Sequence, residues 1–122
     1  MASRKRTESR IDPELAASVL RTVSMPEAFL FFSGIGQYDG EFSTSLADFL
    51  EKLKKISLKS IEFHFKRGDF ARWFRETLGD EYLANRITKI DGSTQGEELR
   101  TTIQRIVERR LNRLEAATIT KT

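Results

Sequence analysis

Residues 57–90 of the chain read SLKSIEFHFKRGDFARWFRETLGDEYLANRITKI and contain the features that decide the fold. This stretch holds the only tryptophan, the only histidine and four of the nine phenylalanines of the 122-residue chain. A glycine followed by an aspartate occurs twice in it, at Gly68-Asp69 and at Gly79-Asp80. Glycine commonly ends a helix and aspartate commonly begins one, so these pairs predict short helices that fold back on one another.

The apolar residues in the first part of this stretch fit both the spacing of a strand and the spacing of a helix. Ile61, Phe63 and Phe65 alternate with polar residues as in a strand, whereas Leu58, Ile61 and Phe65 also lie on one side of a helix. We favour the helix, because no neighbouring segment shows comparable alternation that could pair with it. The preceding Ser57 is then its N-cap.

Asp69 and Asp80 are predicted to cap the two helices that follow. The first of these helices has an apolar face with helical spacing, formed by Phe70, Trp73, Phe74 and Leu78. Trp73 beside Arg72 could in principle stack on an unpaired base. We favour a position in the core, because the same aromatic face must bury this short helix.

Towards the N-terminus, the pair Asp12-Pro13 predicts the start of another helix, with Pro13 at the first helical position. The apolar run AFLFF at residues 28–32 fits a buried strand or a short helix, and periodicity does not separate the two. The glycine-rich residues 34–40 are expected to form a turn or loop.

The clearest amphipathic helix begins after Thr44 or Ser45, either of which can cap it. Its apolar residues follow the i, i+3, i+4, i+7 pattern and are Leu46, Phe49, Leu50 and Leu53.

The final helix is predicted from about residue 97 to residue 116. Its apolar stripe consists of Leu99, Ile103, Ile106, Val107, Leu111 and Leu114. Beside the stripe, Arg105, Arg109 and Arg113 recur one turn apart, where they could contact successive phosphates or an acidic protein. The stripe could also extend beyond the chain's own core and pair with a second copy, giving a dimer.

The whole pattern predicts a mainly α fold, a compact bundle of about five short helices with a longer C-terminal helix. One short extended segment is allowed near residues 28–32. Residues 13–117 are expected to form a single helical domain, and residues 118–122 a frayed tail. Residues 1–12 carry little to bury and are expected to be a disordered basic arm.

Composition and motifs exclude several classes of site. The chain has no cysteine, which excludes disulfides and cysteine-ligated metals and suggests an intracellular protein. No apolar run approaches the roughly 18 residues that would span a bilayer, and the basic N-terminus lacks the apolar core of a secretory signal. The glycines of residues 34–40 lack the spacing of a phosphate-binding loop. His64 has no second histidine, so we expect neither a metal, a cofactor nor a catalytic residue.

Four short patterns carry a resemblance to a known family. They are Ser45-Leu46 followed by Phe49, Ser60 followed by His64, Asp69-Phe70 followed by Trp73, and Gly79-Asp80 followed by Leu83-Ala84. In these features residues 25–114 resemble an uncharacterised family of small, mainly archaeal helical domains of unknown function. The resemblance implies a helical fold and an accessory role, and it supplies no catalytic residues.

These observations favour a non-enzymatic, cytoplasmic binding protein that associates with RNA or with a ribonucleoprotein such as a ribosomal subunit. A net charge of +3 is compatible with such a partner. The residues expected to contact nucleic acid are Arg4, Lys5, Arg6, Arg105, Arg109 and Arg113. The alternative is a helical protein–protein module, a homodimer or an adaptor that regulates a partner enzyme. The residues expected to contact a partner are His64, Arg67 and Arg72. We expect neither a membrane nor a small-molecule substrate as ligand.

Overall fold

Helices dominate residues 11–119, the part of the chain that the computed structural model describes. The predicted mainly α class is confirmed, with one small antiparallel sheet added to it. The helices are α1 Pro13–Leu20, α2 Leu46–Lys55, α3 Leu58–Arg67, α4 Asp69–Arg72, α5 Glu81–Thr88 and α6 Gly96–Ile119. The strands are β1 Phe29–Phe32 and β2 Tyr38–Ser43. A 3₁₀ turn covers Met25–Glu27, and a π-helical segment, Trp73–Leu78, continues α4.

The apolar run at residues 28–32 is a strand, which settles the alternative left open above. Its partner β2 was not predicted, because residues 34–40 were assigned to a loop. The loop assignment is wrong from Tyr38 onward, where β2 begins. The sequence of β2, YDGEFS, alternates poorly because every residue before Ser43 is exposed, as an edge strand of a two-stranded sheet allows.

Residues 58–67 are helical, so the helix favoured from the sequence is the observed structure. The hydroxyl of Ser57 accepts a hydrogen bond from the backbone N–H of Ser60, and Ser45 caps α2 in the same way. Gly68 ends α3 with a φ of 75°, a left-handed conformation that glycine adopts without steric penalty.

Of the two aspartates predicted as caps, only Asp80 is one. Its carboxylate accepts a hydrogen bond from the backbone N–H of Leu83 at the start of α5. The prediction for Asp69 is wrong, since Gly68 occupies the cap position and Asp69 is the first residue of α4. The carboxylate of Asp69 binds side chains instead, as described below.

Helix α6 is the centre of the fold and packs against α1, α2, α3 and α5. Its apolar stripe is buried at five positions, Leu99, Ile103, Val107, Leu111 and Leu114, and half-buried at Ile106. A single chain therefore covers the stripe. Burial of this stripe therefore does not require a second copy, and the dimer stays a prediction.

Aromatic rings of the same core join the hairpin to the helices. The ring of Phe29 lies 5.3 Å from that of Phe70 and 5.7 Å from that of Trp73, measured between ring centres. The indole N–H of Trp73 donates to the backbone carbonyl of Glu27 at 2.8 Å. Trp73 is thus a core residue, the position favoured from the sequence.

Arg4, Lys5 and Arg6 lie outside the described residues, as do residues 120–122. Of the remaining part of the predicted arm, Ile11 is half-buried and packs against the core.

Candidate functional site

The single histidine connects the hairpin to the helices. His64 lies on α3 and is buried. Its Nε2 accepts a hydrogen bond of 2.8 Å from the backbone N–H of Phe32 on β1. Its Nδ1 lies 2.8 Å from a carboxylate oxygen of Asp69. Because a backbone N–H can only donate, Nε2 carries no proton, and the imidazole is the neutral form with its proton on Nδ1.

Burial lowers the pKa of His64 below its ordinary value, and the hydrogen bond to Asp69 opposes this only in part. A general base needs a free lone pair on a ring nitrogen, and here the lone pair of Nε2 is already used by Phe32. The geometry therefore suits a structural histidine that fixes the hairpin on α3.

Asp69 is the centre of a small ionic network. One of its oxygens accepts from Arg67 Nε at 3.0 Å as well as from His64, and the other accepts from Arg72 at 2.9 Å. Burial acts to raise the pKa of Asp69, but the hydrogen bonds from His64, Arg72 and Arg67 outweigh it and leave that pKa below its usual value. Asp69 is consequently an ionised carboxylate that holds two arginines at the protein surface.

A groove of about 420 Å³ lies beside this network, between the hairpin, α3, α4 and the π-helical segment. Its apolar wall is formed by Phe29, Leu30, Phe32, Ile35, Phe63 and Trp73. Its polar wall is formed by His64, Arg67, Asp69, Arg72, Glu76 and Thr77. The groove thus brings together all three residues that the sequence predicted as partner contacts, although the burial of His64 leaves contact with a partner mainly to the two arginines.

Two features make the groove suitable for a ligand. Ile35, at the turn of the hairpin, is 78% exposed, the highest value among the large apolar residues described as exposed. The guanidinium of Arg67 lies over the ring of Phe63, 5.0 Å from its centre, and uses only Nε on Asp69. Neither terminal nitrogen of Arg67 hydrogen-bonds to another residue of the described chain, so both can bind a ligand.

The arginine row predicted on α6 is only partly available to a ligand. Arg105 and Arg109 are exposed. Arg113 is half-buried and already interacts within the chain. No residue of this row lines the groove, so the groove and the row are separate surfaces.

A family model matches residues 33–122, which is most of the chain, and describes a family of unknown function, DUF5752. The chain belongs to this family. The match agrees with the resemblance to an uncharacterised family, whereas the archaeal origin that the resemblance implies stays a prediction. No curated protein and no solved structure shows a significant match to the chain.

The groove of this DUF5752 protein combines residues inside and outside the family match. Phe29, Leu30 and Phe32 precede residue 33, whereas the other lining residues follow it. The hairpin strand β1 therefore completes a site whose ionic network belongs to the family segment.

Two arginines that act inside the fold were not identified from the sequence. Arg110 donates from Nε and Nη2 to the two carboxylate oxygens of Asp80, at 2.8 and 2.9 Å, and this pair is buried. Arg100 donates to the backbone carbonyls of Leu53 and Ile56 at the C-terminal end of α2. A sequence signal existed for Arg110, since it falls on the same face of α6 as Val107 and Leu114.

Within residues 11–119, no group of three His, Asp or Glu side chains is arranged to hold a metal ion. Over the same residues, no helix has the length and apolarity required to cross a membrane.

Proposed function

We propose that the chain is a protein-binding module that holds a short acidic and apolar segment of a partner protein in the groove. The observation that carries the proposal is that one groove is lined both by the exposed Ile35 and by Arg67, whose guanidinium uses only Nε on Asp69. Exposed apolar surface beside an arginine is typical of the residues that dominate protein interfaces. This role corresponds to the adaptor hypothesis that the sequence left as its alternative.

The apolar wall selects one part of the ligand. Leu30 and Ile35 expose aliphatic surface, and the other apolar lining residues, Phe29, Phe32, Phe63 and Trp73, are aromatic. Burying a leucine-sized side chain there removes apolar surface from water on both partners, which is worth about 1.5 to 3 kcal/mol. We therefore expect the bound segment to insert at least one large apolar side chain.

The polar wall of the groove selects the acidic part of the bound segment. Asp69 is saturated by His64, Arg67 and Arg72, which leaves Glu76 as the remaining acidic group of the groove. Arg67 and Arg72 have side chains that are 51% and 55% exposed. A carboxylate of the partner can accept both terminal N–H groups of Arg67, a charge-assisted arrangement that a lysine would not reproduce.

A display library of random peptides, selected on the immobilised full chain, tests the proposal. The enriched peptides should share an apolar residue beside an aspartate or glutamate. Their affinity should fall about tenfold or more on Ile35→Asp and on Arg67→Ala, as loss of a buried contact or of a charge-assisted hydrogen bond predicts. Lys55→Ala, which removes an exposed cation outside the groove, is the matched control.

Equal binding to the control and to both groove variants would show that the peptides bind elsewhere. Failure to enrich any sequence would likewise count against a peptide-binding groove.

A second candidate is the association with RNA or a ribonucleoprotein in the cytoplasm. It is favoured by the exposure of Arg105 and Arg109 one turn apart on α6. Arg4, Lys5 and Arg6 would add phosphate contacts from the N-terminal segment. Filter binding of a short RNA across a salt series tests it, since Arg105→Gln with Arg109→Gln should weaken binding and flatten the salt dependence. The matched control is Lys54→Gln with Lys55→Gln, and equal binding by the two double variants would reject the role of α6.

A further inference from the structure

The buried guanidinium of Arg110 has one nitrogen without a partner. Nε and Nη2 both donate to Asp80, whereas Nη1 is buried and makes no hydrogen bond within the described chain. The side chain of Arg110 is 5% exposed and that of Asp80 is 1% exposed. A buried donor of a charged group is costly to leave unsatisfied, so this nitrogen requires an explanation.

A small cavity between α5 and α6 lies next to this arginine. It has a volume of about 10 Å³, room for one atom the size of a water oxygen. Its lining residues are Tyr82, Leu83, Arg86, Ile106, Arg109 and Arg110. Asp80 is not among them. The guanidinium of Arg110 also lies over the ring of Tyr82, 4.6 Å from its centre, so Tyr82 and Asp80 both hold it in place while Nη1 stays without a hydrogen-bond acceptor.

The charges around the cavity are unbalanced. Three arginines line it, and no acidic side chain among the described residues does. Asp80 balances Arg110, which leaves the charges of Arg86 and Arg109. Arg86 donates to the hydroxyl oxygen of Tyr82 at 3.1 Å, so the hydroxyl hydrogen of Tyr82 is available to a further acceptor.

We propose that this cavity is an anion site that binds a phosphate group. One phosphate oxygen enters the cavity and accepts from Nη1 of Arg110, and the other oxygens remain at the mouth, within reach of Arg86 and Arg109. A tetrahedral phosphate has enough acceptor oxygens for three guanidinium groups, whereas a planar carboxylate matches only one or two. The site shares no residue with the groove and goes beyond the proposed protein binding.

Calorimetric titration of the full chain with inorganic phosphate, at constant ionic strength set by chloride, tests the site. Saturable binding is expected, with the dissociation constant raised about tenfold or more by Arg109→Gln, as the loss of a charge-assisted hydrogen bond predicts. Arg105→Gln removes another exposed arginine of α6 that does not line the cavity, and it should change the constant less than about twofold by the same arithmetic.

Arg109 is exposed, so its replacement should leave the thermal melting of the protein unchanged and the result interpretable. Arg86→Gln is a second variant with the same expected loss of binding, and its melting is measured alongside because Arg86 also contacts Tyr82. In ¹⁵N spectra, the side-chain Nε–H signal of Arg110 should shift on addition of phosphate and not on addition of chloride.

A competition arm identifies the source of the phosphate. Displacement of phosphate by a short single-stranded RNA at its own binding concentration would assign the site to a backbone phosphate, and absence of displacement would assign it to free phosphate. The proposal is overturned if phosphate gives no saturable binding, or if Arg105→Gln weakens binding as much as Arg109→Gln.

Discussion

A proton on Nε2 of His64 would face the backbone N–H of Phe32, and two donors would then oppose each other at the junction of hairpin and helix. The pKa of His64 is lowered by burial. The unfolded chain, with a histidine pKa of about 6.5, therefore takes up this proton before the folded chain does. We expect the free energy of unfolding to decrease as the pH falls below about 6.5. Above that pH, the contribution of His64 to the free energy of unfolding should be constant. Urea unfolding between pH 8 and pH 5, taken as roughly the range in which histidine titrates, measures the effect.

The variant His64→Gln separates the histidine from other titrating groups. Its side-chain oxygen can still accept from Phe32, but it does not titrate. At pH 8, above the ordinary titration of histidine, we expect it to be about 1 to 2 kcal/mol less stable than the native chain, mainly through the lost hydrogen bond to Asp69. The difference should shrink as the pH approaches 5. A constant difference would show that His64 does not titrate with folding.

The pair formed by Asp80 and Arg110 gives a second prediction for single residues. Replacing Arg110 with Met leaves the carboxylate of Asp80 buried without its counter-ion, which should lower the free energy of unfolding by about 3 to 5 kcal/mol. Adding Asp80→Asn should recover part of this loss, because the neutral amide oxygen can still accept from Leu83. Denaturant unfolding of the two single variants and the double variant measures the coupling, and additive losses would contradict a direct pair.

At the scale of elements, the glycine that ends α3 sets the angle at which α4 leaves it. Gly68 has a φ of 75°, so an added Cβ is strained even though no atom lies close to it. Gly68→Ala should cost about 1 to 2 kcal/mol of stability. Gly92 also has open space but no such φ, and Gly92→Ala should be neutral or slightly stabilising. Equal effects of the two replacements on the urea midpoint would contradict the assigned conformation.

Elements defined by local chemistry were predicted well from the sequence. Ser45, Ser57 and Asp80 act as caps through hydrogen bonds from residues three positions later, so the local sequence is enough to identify them. Strand β2 was not predictable in this way, because its pairing with β1 depends on a distant segment. The π-helical turn at Trp73–Leu78 has no signal in the spacing of its apolar residues, which also fits an α-helix.

In the candidate site too, some residues could be predicted from the local sequence, whereas others depend on distant segments. Arg67 and Arg72 were predicted from the sequence as partner contacts, and both line the groove. Ile35 was not selected, since an isolated apolar residue in a glycine-rich loop gives no sign of what lies opposite it. Asp69 was assigned to a cap because a carboxylate after a glycine usually serves as one, and its three side-chain partners are defined only once α3 and α4 are folded together.

For the whole molecule, two surfaces of different chemistry lie on different elements of the fold. The groove is built by the hairpin, α3, α4 and the π-helical segment, and the anion site is built by α5 and α6. No residue is common to their linings. Helix α6 contributes to the anion site and packs its buried face against α1, α2, α3 and α5. A chain of 122 residues can therefore present an apolar groove and a cationic cavity on separate sets of residues.

We predict that the groove and the anion site of the folded chain bind their ligands independently. Ile35→Asp should weaken peptide binding about tenfold or more and leave phosphate binding within about twofold of the native value. Arg109→Gln should weaken phosphate binding to the same degree and leave peptide binding within about twofold. In the double variant, the loss of peptide affinity should equal that of Ile35→Asp alone and the loss of phosphate affinity that of Arg109→Gln alone, because changes at separate sites without shared partners are additive within about 0.3 to 0.5 kcal/mol. Calorimetry with both ligands on the four proteins measures the coupling. A peptide affinity that changes when phosphate is bound would contradict this independence and would show that α3 and α6 couple the two sites. The chain would then be an adaptor whose peptide binding responds to phosphate.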